Sequence, residues 1–152
     1  MSKMSDRVAG FGTTIFTEIN MLAQQHNALN FGQGKPDFDG PQDVIAAAVR
    51  ALQAGDKNQY AAGPGAPALK QAIANHASRF YNMEIDPNAG VVVTAGATEA
   101  VFTSVLGLVD RGDEVIVIEP YFDSYVPNIT MAGATPIFVP LHPPEWTFDP
   151  DE

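Results

Sequence analysis

Cysteine is absent from the 152 residues, which excludes a disulfide framework, a thiolate metal site and a cysteine nucleophile. No apolar run approaches the roughly 20 residues that a membrane-spanning helix needs. The opening stretch Met1-Ser2-Lys3-Met4-Ser5-Asp6-Arg7 lacks the apolar centre of a secretory signal, so a cytoplasmic location is expected. Basic residues are scarce: 8 Lys and Arg stand against 18 Asp and Glu, a formal charge of −10. Such a field repels phosphate backbones and anionic lipid. Neither nucleic acid nor a membrane is therefore expected as a partner, although one locally positive pocket for an anion stays open. His26, His76 and His142 have no metal-ligand spacing, and no metal site is expected. Also missing are G-x-G-x-x-G and G-x-x-x-x-G-K-[ST], which disfavours nicotinamide cofactors and ATP.

What the chain does have is a 45% hydrophobic share, enough for one ordinary core, and 13 glycines with 12 prolines in no repeating period. That excess calls for many tight turns. Ile19, Leu22 and Ala23 share one face of a helix expected over 17–26. The Gly- and Pro-dense segment Asn30 to Asp39 is a loop. A second helix follows, capped by Asp39 or Gly40, with Pro41 in its first turn, Val44, Ile45, Ala48, Val49 and Leu52 as its stripe and Gly55 at its end. A third spans 67–81, with Leu69, Ile73, Ala77 and Phe80 at helical spacing.

From residue 89 the period changes. Buried strands are expected over 91–94, 114–118 and 135–141, with helices over 98–109 and 121–132, the latter bent or interrupted at Pro127. Strands alternating with helices give an α/β fold with a mainly parallel sheet. Three strands and two crossover helices are too few to cover both faces of such a sheet. The chain therefore reads as the front part of a larger protein.

Ligands of open α/β sheets bind at the carboxyl ends of strands, where helix N-termini point. Thr94-Ala95-Gly96-Ala97-Thr98-Glu99 occupies such a place. Its small side chains admit a ligand, the N–H groups of Ala97 and Thr98 face it, and the Thr98 hydroxyl adds a donor: the makings of a phosphate cradle. A plain strand-to-helix turn would use the same residues. Glu99 complements the helix dipole. Tyr121, Phe122 and Tyr125 could wall a flat ring or equally belong to the core of the next helix.

Four segments, NFGQGKPDFDGP, NQYAAGPGAPALKQAIA, VVVTAGATEAVF and GDEVIVIEPYFDSYVP, occur in this order at mutually consistent distances. By them the chain, from about Gly10 to Asp149, resembles the N-terminal part of the class I/II pyridoxal-phosphate-dependent aminotransferases of fold type I. The nearest subgroup is the methionine and kynurenine (glutamine-type) aminotransferases. The resemblance implies an N-terminal arm and substrate loop, part of a small domain, over 1–40, and the first part of the cofactor-binding large domain over 41–152. It implies pyridoxal 5'-phosphate as cofactor, amino acids (aromatic, methionine or glutamine-like) and 2-oxo acids as substrates, and a homodimer.

By the same resemblance, Ala97 and Thr98 bind the cofactor phosphate and Phe122 stacks on its ring. Tyr60 reaches the phosphate of the neighbouring subunit's cofactor, Gly34 lies against the substrate carboxylate, and Phe16 sits near the substrate side chain. Lys70 stands where the family often has arginine, which should matter little on a helix surface. The family's catalytic lysine, in an S-x-x-K segment, has no counterpart among Lys3, Lys35, Lys57 and Lys70. The 152 residues alone are therefore expected to be inactive. Two other readings keep the same scaffold: a β-lyase acting on cysteine conjugates with the same cofactor, and a non-catalytic aminotransferase-like binding module.

Overall fold

The computed structural model describes residues 4–151. In chain order its elements are α1 (Asp6–Ala9), α2 (Ile15–Gln25), α3 (Gln42–Ala54), α4 (Pro67–Tyr81), α5 (Gly96–Leu108), β1 (Glu114–Glu119), α6 (Tyr125–Ala132) and β2 (Thr135–Pro140). They fall into two compact units, one of residues 31–94 and one joining the residues up to 30 with those from 95 on. No helix among the described residues is long and apolar enough to cross a membrane.

In the unit that holds the sheet, β1 and β2 pair in parallel, in register from Glu114 opposite Thr135 to Glu119 opposite Pro140. Parallel neighbours need a crossover, and α6 supplies it. Val117, Ile129 and Ala134 are the buried centre, with Val105, Val109, Val115 and Val126 packed against them. The run Glu-Val-Ile-Val-Ile-Glu reads as a strand covered on both faces. In fact Val117 is 3% exposed while its neighbours Ile116 and Ile118 are 69% and 47% exposed, so only one face is covered within the described residues.

The expected interruption at Pro127 does not occur. The helix begins at Tyr125 rather than 121, which makes Pro127 its third residue. First-turn N–H groups have no intrahelical acceptor, so proline there removes no bond. The same helix ends at Gly133, in the left-handed region at φ +84°, whose N–H reaches the carbonyls of Ile129 and Thr130. A Cβ at this position would stand 3.2 Å from Arg111 Cγ. Gly133→Ala is expected to cost about 1–2 kcal/mol of stability, read as a lower urea midpoint. An unchanged midpoint would contradict the role given to this turn.

In the unit of residues 31–94, α4 has the expected bounds, with Pro67 in its first turn and Asn82 closing it in the left-handed region. Of its expected stripe only Ala77 is buried. Lys70, Ala74 and Ala77 are buried, whereas Leu69, Ile73 and Phe80 are exposed. The segment after the helix explains the shift. It folds back far enough for the Asn88 carbonyl to meet the Lys70 side chain of the helix, and Val91 is buried. The small alanine side chains let a backbone lie close.

Lys70 is thus no surface residue: it is 7% exposed, and its ammonium donates to the Asn88 carbonyl at 3.2 Å. Residues 91–94 do not form the expected strand. A strand exists through its neighbour's hydrogen bonds; here the Val93 N–H goes instead to the Pro64 carbonyl, at 2.9 Å. Helix α3 starts at Gln42, so Pro41 rather than Asp39 or Gly40 stands at its cap position, outside the first turn, and the helix stops at Gly55 (φ +79°). Its stripe of Val44, Ile45, Val49 and Leu52 is exposed.

Candidate functional site

Helix α5 begins in a run of small residues. Gly96, at φ +83°, turns the chain into the helix, and Ala95 before it has no side-chain oxygen with which to cap it. The first N–H groups of any helix lack an intrahelical acceptor. Those of Ala97 and Thr98 make no hydrogen bond among the described residues, and both residues are exposed. Nothing lies within 4 Å of where a Cβ on Gly96 would be, so the space beside this residue is open. A helix of 13 residues adds the positive end of its dipole, worth about half a unit charge. Two N–H donors, the Thr98 hydroxyl and this dipole form a donor set suited to a dianion.

The turn between β1 and α6 carries the aromatic residues. Tyr121, Phe122 and Tyr125 are 38%, 40% and 40% exposed, so within the described residues they are not part of a core. Tyr121 stacks on Phe138 of β2, with ring centroids 5.7 Å apart, and Phe122 meets Tyr125 edge to face at 5.7 Å.

These two features lie at one end of the same unit. Val109, just past the C-terminal end of α5, packs in the cluster that holds Val115 at the start of β1. Val101 and Val105 of α5 line a cavity of about 340 Å³ with β1 along its length, from Val115 to Ile118, and with Tyr125 and Ile129 of α6. The short link after α5 brings its C-terminal end to the start of β1, so the helix runs back along the strand. Its tip points toward the strand's carboxyl end, from which the turn bearing Phe122 leaves. That is where ligands of such sheets bind.

Phe16 lies in the first turn of α2, in this same unit, and is half-buried. The preceding segment, Gly10 to Ile15, walls a cavity of about 580 Å³ together with Tyr121, Asp123 and Pro127. This cavity had no signal in the sequence, since its walls come from segments more than a hundred residues apart. Gly34 and Tyr60 belong to the other unit. Gly34 is exposed with nothing within 4 Å of a would-be Cβ, and the Tyr60 ring is fully exposed. Ala97, Thr98, Phe122 and Phe16 thus belong to one unit, and Gly34 and Tyr60 to the other.

One site residue escaped the sequence. The Glu99 carboxylate bends back and accepts the Ala95 N–H. The available signal was a carboxylate four residues after a cap position that has no oxygen of its own.

The family described as aminotransferase class I and II matches residues 26–152. A probable N-succinyldiaminopimelate aminotransferase of Mycobacterium tuberculosis is 48% identical over 137 residues, covering 90% of this chain and 34% of its own length. Kynurenine–oxoglutarate transaminase 3 of Mus musculus is 38% identical over 160 residues, covering 99% of this chain and 35% of its own. Among solved structures, an Escherichia coli protein identified as a methionine aminotransferase superposes with a TM-score of 0.89. It is 41% identical, and the match covers 98% of this chain and 39% of that one. The chain thus spans about a third of the length of the relatives it matches.

Proposed function

Because the chain belongs to the class I and II aminotransferases, whose members are pyridoxal 5'-phosphate-dependent enzymes of fold type I, we propose that it is the phosphate-binding part of a transaminase. The complete enzyme would move an amino group between an amino acid and a 2-oxo acid. One observation carries this reading: the unbonded N–H groups of Ala97 and Thr98 open onto space at the end of the unit where Phe122 is exposed.

When bound, pyridoxal 5'-phosphate supplies an electron-withdrawing ring that stabilises the charge left when a proton leaves the substrate's Cα. The residues of this chain do the holding. Ala97 and Thr98 donate to the phosphate, and the Thr98 hydroxyl adds a third hydrogen bond. Phe122 lies against the ring and fixes its tilt. Gly34 offers close backbone approach to the substrate carboxylate, and Phe16 lies beside its side chain. Tyr60, exposed and without packing of its own, serves the phosphate site of a neighbouring copy, which makes the working unit a homodimer.

Residues 1–40 act as arm and substrate loop, and those from 41 on begin the cofactor domain. None of Lys3, Lys35, Lys57 and Lys70 stands three residues after a serine, so the lysine that moves the Cα proton comes from outside these residues. The amino donor is aromatic, methionine or glutamine-like. The relatives named for methionine and kynurenine support that class.

The test is an amide-resolved NMR titration of the 152-residue chain. Pyridoxine 5'-phosphate serves as probe, because it lacks the aldehyde that would react with any exposed lysine. The expected result is saturable shifts centred on Ala97 and Thr98 that pyridoxine, without the phosphate, does not produce. Equal responses to the two compounds would overturn the reading.

A further inference from the structure

We infer that Glu99 is a positioning residue for the phosphate: by holding the Ala95 N–H it closes the start of α5 without occupying the two N–H groups the phosphate needs. The inference rests on the phosphate reading above. Most helices begin with Ser, Thr, Asp or Asn, whose side-chain oxygen accepts the second or third helical N–H. In α5 those are the N–H groups of Ala97 and Thr98. An ordinary cap at position 95 would therefore compete with the ligand for its own donors. Alanine stands there instead, with no cap bond from its side chain.

Glycine at a helix start has more backbone freedom to lose than any other residue. Gly96, at φ +83°, is the one residue between Ala95 and Ala97, and nothing packs where its side chain would be. The Glu99 carboxylate spans this glycine from the helix side and ties down the Ala95 N–H beyond it. The turn is thus fastened at a donor other than the two assigned to the phosphate, and those two stay available.

The arrangement has an electrostatic cost, since a carboxylate is placed near a dianion. Charge is therefore not what the position requires of Glu99; a hydrogen-bond acceptor at that reach is. Glutamine offers the same acceptor without the charge, and alanine offers none.

The experiment measures, for the full 152-residue chain, the ratio of affinities for pyridoxine 5'-phosphate and pyridoxine. Glu99→Ala is expected to lower the ratio about fivefold or more, by freeing a turn that a charge-assisted hydrogen bond now holds. Glu99→Gln is expected to keep the ratio at or above that of the parent chain. A role limited to helix stability would lower the melting temperature of Glu99→Ala and weaken both compounds alike, leaving the ratio unchanged; that result overturns the inference. So does a Glu99→Gln ratio as low as that of Glu99→Ala. If the parent chain itself shows no preference for the phosphorylated compound, the phosphate site falls and the inference falls with it.

Discussion

Replacing Gly65 with alanine is expected to unfold the unit of residues 31–94 under conditions where the parent chain holds it. Gly65 sits at φ +113°, a backbone conformation that L side chains rarely adopt. A Cβ there would lie 2.7 Å from Val93 Cβ, a contact too close to the backbone of residue 93 to be relieved by a rotamer change. The neighbouring carbonyl of Pro64 accepts the Val93 N–H at 2.9 Å, so the two segments cannot part without losing that bond. Backbone strain of about 1–3 kcal/mol and an overpacking penalty of similar size come together. The unit has little to set against them, its buried side chains being Lys70, Ala74, Ala77 and Val91. Amide hydrogen exchange across α4 would read the loss directly. Gly63 is the control: its Cβ would meet nothing within 4 Å, and Gly63→Ala should leave exchange unchanged. If Gly65→Ala exchanges like Gly63→Ala, the close approach of residues 65 and 93 is not a feature of the folded chain.

The elements with local causes were legible before any coordinates. Helix α4 runs from Pro67 to Tyr81 as expected because proline at its first position and apolar spacing at 3.6 residues act within the helix itself. The strands over 114–119 and 135–140 follow from β-branched runs between turn residues, and they found each other because one helix separates them. What stayed hidden depends on cover from elsewhere. Which stripe of α4 is buried is decided by the returning segment that ends in Val91, and a periodicity shared by Leu69, Ile73 and Phe80 cannot announce that segment. Lys70 is hidden for a related reason: its long apolar stem buries well, and only the Asn88 carbonyl, eighteen residues on, makes burial of its head acceptable. Residues 91–94 have every propensity of a strand and no strand to pair with among the described residues, and propensity alone forms no ladder. At the candidate site, Ala97 and Thr98 were visible as a small-residue turn and Phe122 as one aromatic among three. The backward reach of Glu99 had only its spacing from Ala95 as a signal, and spacing alone does not say which way a side chain turns.

Thr98→Asp separates the two things a helix tip can do with negative charge. An acidic side chain in the first turn of a helix is favourable, by about 0.3–1 kcal/mol, because it faces the positive end of the dipole. The variant should therefore unfold at the same urea concentration as the parent chain or slightly above it. Toward a phosphate the same carboxylate is hostile. It takes the place of a donating hydroxyl, and it sets a like charge beside a dianion, where one pair of unit charges 4 Å apart is worth about 4 kcal/mol at the effective dielectric of a protein surface. Partial exposure reduces that figure, yet a loss of about a hundredfold or more in affinity for pyridoxine 5'-phosphate remains the expected result. Thr98→Val keeps the shape and removes only the hydroxyl, and should cost about tenfold or less, the share of one hydrogen bond. The order of the three chains in binding, parent over valine over aspartate, is thus opposed to their order in stability at its last member. Misfolding lowers both quantities together and cannot produce that crossing. If the aspartate variant binds the phosphorylated probe as the parent does, the anion lies somewhere other than at the tip of α5, and Ala97 and Thr98 lose the role assigned to them.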